Sequence, residues 1–371
     1  MPGDTAAEAG PDVGSGMHAF FPSQPQIEAS DNQDAATIRY TFVDALSSID
    51  LGLDEGALDG ALPPLGWDLD GVITCPGNPS CVQRAGTKEN CDDSEGRDHT
   101  GLELFRQLGP TAVAGIAAAN QGMQTGVFGL IVQVKGYTGQ PNATNLTVSI
   151  FASSGVLGTS DGAVLLNHDG NDKWTVDPRY LQGMPPTGVD CGGSGTECVA
   201  VYASTSAYVS DGVLVAAFPS DVPITFGGRA NIGGAVMTLS QMVLVGTLEP
   251  AQITGNGMSW HIVNGTLSGR WGSANLLGNT ATILDPTSDA GAFLCGSDLP
   301  YQYLKNNIIC PLQDIVAEPQ NNNNPNASCD AISMTLGFTA EPAQLGTVSP
   351  LPFTPSGCMQ GTTPFTDSCP R

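Results

Sequence analysis

Phe128-Gly-Leu-Ile-Val-Gln-Val-Lys-Gly136 decides the fold class. Leu130, Val132 and Val134 recur at every second position, which puts them on one face of an extended strand, and glycines punctuate both ends. The same period returns in Leu146, Val148 and Ile150. It returns again in residues 199–204, 212–218, 234–239, 241–248, 259–263 and 266–271, each stretch bounded by Gly, Pro, Asn or Asp. Upstream, Ile38, Tyr40 and Phe42 alternate in residues 37–43; downstream, residues 330–340 read as a last strand returning to the others. Many short strands at this spacing predict a mainly β protein, an antiparallel sandwich or jelly roll rather than a parallel α/β sheet. Short helices interrupt it. Thr100 and Glu103 form a capping-box pair ahead of Leu104, Phe105 and Leu108, with Gly109-Pro110 as the stop. Further helical stretches are expected at 111–120, 273–283 and 299–315. Three parts follow: a flexible linker over 1–33, a small acidic-loop and helix module over 34–122, and a β-sandwich over 123–371 whose Pro-rich end is stapled by cysteines.

The composition narrows the partners. Twelve Lys and Arg against 36 Asp and Glu give a net charge of −24. Nucleic-acid binding needs cations to neutralise phosphates, so that class is excluded, and adsorption to an anionic membrane face is disfavoured. Charged residues are only 13 % of the 371-residue chain, while Gly 47 and Pro 27 mark a turn-rich globular protein, not a disordered acidic one. No run of about 18 apolar residues is present, so no transmembrane helix is expected. The first residues lack a basic segment followed by an apolar one. The expectation is a mature or trimmed form, from which a lipid anchor on a preceding cysteine would have been lost.

Ten cysteines fall in local groups: Cys75, Cys81 and Cys91; Cys191 and Cys198; Cys295, Cys310 and Cys329; Cys358 and Cys369. An even count grouped in this way reads as a disulfide framework from an oxidising compartment. No C-x-x-C spacing occurs and there are only four histidines, which argues against zinc. Cys191–Cys198 and Cys358–Cys369 are the simplest pairs, each closing a short Gly-containing loop. Pairing within the two groups of three is open, and one cross-link between them is required if all ten pair.

The sharpest chemical signal is Trp67-Asp-Leu-Asp-Gly71, with Asp92-Asp-Ser-Glu-Gly-Arg-Asp98 further along. Carboxylates at i and i+2 ahead of a glycine are how a calcium loop gathers hard oxygens over a tight turn. The candidate ligands of a structural calcium ion are Asp68, Asp70, Asp92 and Asp98, with Asp93 and Glu95 as further donors. The competing reading has Asp98 capping the following helix and the remainder solvated.

The chain order is a strand near Tyr40, Leu65-Gly-Trp-Asp-Leu-Asp-Gly71, Gly96-Arg-Asp-His99, an amphipathic helix and the Phe128–Gly136 strand. Trp174-Thr-Val-Asp-Pro178, Ala207-Tyr-Val-Ser-Asp-Gly-Val-Leu-Val215 and a closing strand through Gly337-Phe-Thr-Ala340 follow. This order resembles a group of uncharacterised exported proteins, lipoprotein-type among them, from myxobacteria and their relatives. In simpler members the loop reads D-L-D-G-D-G-x-x-D-N; here a cysteine-bearing insertion displaces its second half, and His99 stands where Asn would be. The resemblance implies export and a shared fold, and supplies no activity.

Two other constellations carry chemistry-bearing residues. Asp169-Gly-Asn-Asp172 ahead of Trp174 is the most site-like stretch for a glycan or surface ligand, which would stack on an exposed aromatic; Trp260, Trp271, Tyr180 and Tyr208 are alternative platforms. Asp-Gly also marks a hairpin turn. Gly158-Thr-Ser-Asp-Gly162 matches G-x-S-x-G, with Ser160 as nucleophile and His168 or His261 as base. A nucleophile elbow needs a helix after it, whereas residues 164–166 read as a strand, so a Gly-rich turn explains the match better. Sequons at Asn142, Asn145, Asn264 and Asn326 would mark surface loops in a eukaryotic secreted protein. The sequence thus points to an exported, non-catalytic structural or binding protein of the cell surface or periplasm. The alternative is a secreted carbohydrate-active enzyme of glycoside-hydrolase type, which would need two facing carboxylates.

Overall fold

In the computed structural model the strand that sets the fold class, β2 (Gly129–Tyr137), lies between β1 (Tyr40–Asp50) and β3 (Ala143–Ser153). The structure describes residues 20–25, 39–52, 65–74, 79–84, 90–156, 166–192, 198–226, 235–253, 255, 257–283, 293–296, 298–322, 324, 326–351, 358 and 364–370. The other sheet strands are β5 (Tyr202–Ser210), β6 (Val213–Ala217), β7 (Val222–Phe226), β8 (Ala235–Ile253), β9 (Gly257–Gly272) and β10 (Ala331–Pro342). Their order is β6-β5-β3-β2-β1-β10-β9-β8-β7, with every neighbouring pair antiparallel. The antiparallel, mainly β class read from the sequence is the one adopted.

The sheet closes on itself. β6 pairs with β5 on one side and, through Val213–Ala217 against 243–247, with β8 on the other. Eight strands therefore run in a ring, and β7 hangs on the first part of β8, at Leu239 to Ala235. Closure satisfies edge hydrogen bonds that an open sheet would expose. β1, from the segment expected to form a separate acidic-loop module, is a central strand of this ring between β2 and β10.

The period of two sorts the side chains. Phe42 and Leu46 of β1, Leu130, Val132 and Val134 of β2, Leu146, Val148 and Ile150 of β3, and Ile332, Met334, Leu336 and Phe338 of β10 join one core. Alternate residues such as Ala45, Ile131 and Phe151 belong to a second cluster, on which β4 (Lys173–Val176) and β11 (Gln344–Val348) lie as a small parallel pair. Helices α1 (Thr100–Leu108) and α2 (Pro110–Gln124) add Leu104, Ala119 and Met123 to the first core. α3 (Ser273–Asn279) adds Leu276 and Leu277, and the turns after α4 (Leu299–Tyr303) add Ile308, Ile309 and Leu312.

Some expectations change. The pairs of strands at 234–248 and 259–271 are single long strands, β8 and β9, that bend without breaking: β8 has register shifts between Ser240 and Val243 and between Val245 and Thr247. β4, β7 and β11 were not foreseen. The capping box does not form; the N-cap of α1 is His99, whose side chain makes no cap bond. Cys191–Cys198 pairs as expected, but Cys358 and Cys369 do not pair with each other. They bond to Cys295 and Cys310, because the C-terminal segment lies against the α4 region, where the Asp367 carboxylate takes a hydrogen bond from Tyr301 and an ion pair from Lys305. Cys81–Cys329 supplies the cross-link between the two groups of three. Cys91 is also disulfide-bonded, while Cys75 lies outside the described residues.

Candidate metal centre

The acidic loop is seated on the outward face of β9 and β10. On these strands Leu267, Trp271, Ile332 and Met334 join the core, so the alternate positions Thr266, Ser268, Arg270, Ser333 and Thr335 face the other way. Trp67 Nε1 donates to Thr266 Oγ1 (3.1 Å), and Arg270 Nη2 donates to the Leu69 carbonyl (2.7 Å). Arg270 Nη1 holds the Val316 carbonyl and Asn322 Oδ1, so a guanidinium only 1 % exposed stitches three segments together. The loop closes on itself at an isolated bridge where Asp98 N donates to the Trp67 carbonyl (3.1 Å).

Asp68, Asp70 and Asp98 converge there. All three are buried, and each offers a carboxylate oxygen within 4.8 Å of the others. Backbone donors aim them: Gly71 N to Asp68 Oδ1 (2.6 Å), Val72 N to Asp70 Oδ1 (2.9 Å) and Leu69 N to Asp98 Oδ2 (2.6 Å). Gly71 turns at φ +80°, a left-handed conformation that a side chain disfavours, which explains the glycine after the paired carboxylates. The second Asp70 oxygen, Oδ2, is buried and has no hydrogen-bond partner among the described residues. Ser80, whose hydroxyl donates to the Asp314 carbonyl, lies near enough to moderate the Asp70 charge.

Two more carboxylates stand behind these. Asp92 Oδ2 accepts from Thr74 N (2.7 Å), and Asp314 accepts from both the backbone and the hydroxyl of Ser333. Burial, reinforced by Asp314 and Asp70, pushes Asp92 up to about 8. Burial, then Asp70, Asp92 and Asp314, holds Asp98 well above the usual carboxylate range. Burial also lifts Asp314 to about 6. Arg270 feels Asp70, Asp98 and Asp314, so one guanidinium is set against three of the carboxylates. Such a cluster must be relieved by protons or by a further cation.

The structure thus brings together Asp68, Asp70, Asp92 and Asp98 from the sequence-derived ligand set and adds Asp314 and Arg270. Asp93 and Glu95 are drawn off by Arg97, which forms an ion pair with each. Asp93 stays below the usual range: burial works against this, and hydrogen bonds from Arg97 and Glu95 outweigh it. Asp98 spends its carboxylate on the Leu69 amide and not on a helix cap. His99, in the position of the expected Asn, accepts from Thr335 N through Nδ1 (3.2 Å); burial lowers its pKa to about 4, so it is a neutral docking residue between α1 and β10. Arg270 and Asp314 had one readable signal each, a charge inside an otherwise apolar or small-residue run.

The Asp169–Trp174 stretch is built as a turn beside a buried ring. Trp174 is 2 % exposed, with its ring against Gly129, so it presents no open face for stacking. Asp172 accepts from the Asn167 and His168 amides, and Asp169 Oδ1 from Asn171 N, as turn residues do. Tyr180 is buried too, and Trp260 packs edge-on against Tyr40 and Tyr137. Ser160 and its G-x-S-x-G stretch lie outside the described residues. The convergent aspartates are buried against the sheet, whereas a glycosidase pair must face a sugar across an open cleft.

No family model matches the chain, and no curated protein or solved structure matches it. Among the described residues no helix is long and apolar enough to cross a membrane.

Proposed function

We propose that the protein is an exported, non-catalytic structural or binding protein whose β scaffold is locked by disulfides and by one calcium ion. The ion would be held by Asp68, Asp70 and Asp98, with Asp92 as a further donor. The observation that carries this reading is Asp70 Oδ2, a buried carboxylate oxygen with no hydrogen-bond partner among the described residues, beside two other buried carboxylates. An unpartnered buried oxygen costs free energy, and a hard divalent cation is the partner that an all-oxygen donor set suits. Export is supported by the disulfides, which persist in oxidising compartments. The surplus of acid favours solubility at a surface rich in divalent ions.

Calorimetric titration of EDTA-treated protein with Ca²⁺ is expected to show one binding event. The melting temperature should rise with calcium, since a ligand at 100 times its Kd adds about 2.7 kcal/mol. Asp70→Asn removes a charge from the cluster. The ion-free variant should therefore melt no lower than ion-free wild type while losing its response to calcium. No heat and no melting shift at millimolar Ca²⁺ would remove the reading.

A further inference from the structure

The N-terminal segment Phe20-Phe-Pro-Ser-Gln-Pro25 crosses the outside of the ring without joining a strand. Phe21 packs on Trp67 with ring centroids 5.1 Å apart. Both rest on Val215, Val243 and Val245, which face outward from β6 and β8, with Tyr208 and Val213 beside them. The Tyr208 hydroxyl donates to the Pro22 carbonyl. Phe21 and the Pro22 carbonyl are thus two of the points that hold the strap, and Phe20 is 57 % exposed. A segment that lies outside the ladder opens more readily than the strands beneath it.

Trp67 belongs to two assemblies. Its ring is the seat of Phe21, while its carbonyl accepts the amide of Asp98 and its own chain continues into Asp68. The bridge between Trp67 and Asp98 is isolated, so no neighbouring ladder bonds support it. Asp68 and Asp98 lie on the two sides of that bridge with carboxylate oxygens within 4.8 Å of each other, so a cation bound by both would draw the two sides together.

We propose that the cation site controls the strap: a divalent ion at Asp68, Asp70 and Asp98 fixes Trp67 and clamps Phe20–Pro25 onto the ring, and loss of the ion releases it. This rests on the cation reading above. Linkage makes the coupling reciprocal, so a docked strap raises ion affinity by the same factor that the ion favours docking.

The test is chymotryptic cleavage of the Phe20–Phe21 bond, followed by intact mass, alongside calorimetry with Ca²⁺ as the probe. Calcium-loaded protein should be cut at that bond at least roughly tenfold more slowly than EDTA-treated protein. Asp70→Asn in the same calcium buffer should be cut at the fast rate, which separates the effect from any action of calcium on the protease. Phe21→Ala, a surface change that leaves the core intact, should weaken calcium binding by roughly fivefold. Equal cleavage rates with calcium demonstrably bound, or an unchanged affinity in Phe21→Ala, would overturn the coupling and leave the cation site standing. Absence of calcium binding in wild type would overturn both.

Discussion

Asp44 is the residue on which burial and charge conflict most plainly. It lies on β1 between Phe42 and Leu46, both in the main core, and is fully buried. Oδ2 accepts from Ile262 N (2.8 Å), while Oδ1 has no partner among the described residues. Burial raises its pKa well above the ordinary value, the Ile262 bond offsets part of that, and the nearby Glu341 charge adds to it. The folded state therefore keeps a proton that the unfolded chain releases above pH 4. Stability from this group is fully present below about pH 4 and is lost as pH rises toward the raised folded value. Asp44→Asn keeps the acceptor for Ile262 and replaces the unpartnered oxygen by an uncharged amide. The variant should be more stable than wild type at pH 7.5, by about 1–3 kcal/mol, with the difference fading toward pH 4. Urea titrations at both pH values check this; an equal gain at pH 4 would mean that ionisation is not the cause.

At the scale of elements, β9 and β10 are the hinge of the design, since one face lines the core and the other carries the acidic loop. Their close approach depends on Gly265, where a Cβ would sit 2.1 Å from Cζ of the buried Phe338. Gly265→Ala should cost about 1–3 kcal/mol by overpacking, measured as a lower denaturation midpoint with an unchanged slope. The disulfides should differ as well. Cys81–Cys329 spans 248 residues and Cys191–Cys198 only 7. On the chain-entropy model, removing the first pair costs about 5 kcal/mol and the second about 2 kcal/mol, a contrast that two double-alanine variants would show in parallel melts. The same elements mark what the sequence disclosed. β2, β3 and β10 were legible because alternation of large apolar residues runs through them, and β1 only as far as residue 43, because the buried Asp44 interrupts it. β8 and β9 read as four strands because Ser240-Gln241 and Asn264-Gly265 look like turns; Gln241 and Asn264 do take φ of 48° and 49°, yet the ladders continue past both. β7 was hidden by Pro223, and β11 by the Pro-rich tail. At the site, Asp68, Asp70, Asp92 and Asp98 were readable from local spacing. Local spacing could not tie Asp314 and Arg270 to them, because those two arrive from segments 172 to 246 positions away. Disulfide partners were obscure for the same reason: local spacing favoured Cys358–Cys369, and the docking of the C-terminal segment decided otherwise.

For the whole molecule the governing quantity is its charge. A net −24 with only 12 cationic side chains means that the folded body repels itself, and the buried aspartate cluster concentrates that repulsion at one place. The two contributions separate by their response to salt. Raising NaCl from about 0.01 M to about 1 M shortens the screening length from roughly 30 Å to roughly 3 Å, which quiets repulsion between exposed charges and leaves buried groups nearly untouched. The melting temperature of EDTA-treated protein should therefore climb with NaCl and then level off. Calcium at millimolar concentration should add a further rise that survives in high salt, because its carboxylate partners lie 2–6 % exposed. In Asp70→Asn the NaCl response should persist and the calcium increment vanish. If NaCl at matched ionic strength reproduced the whole calcium effect, the ion would be acting on the diffuse surface charge, and the acidic loop would be held by its hydrogen bonds to Arg270 and the backbone alone.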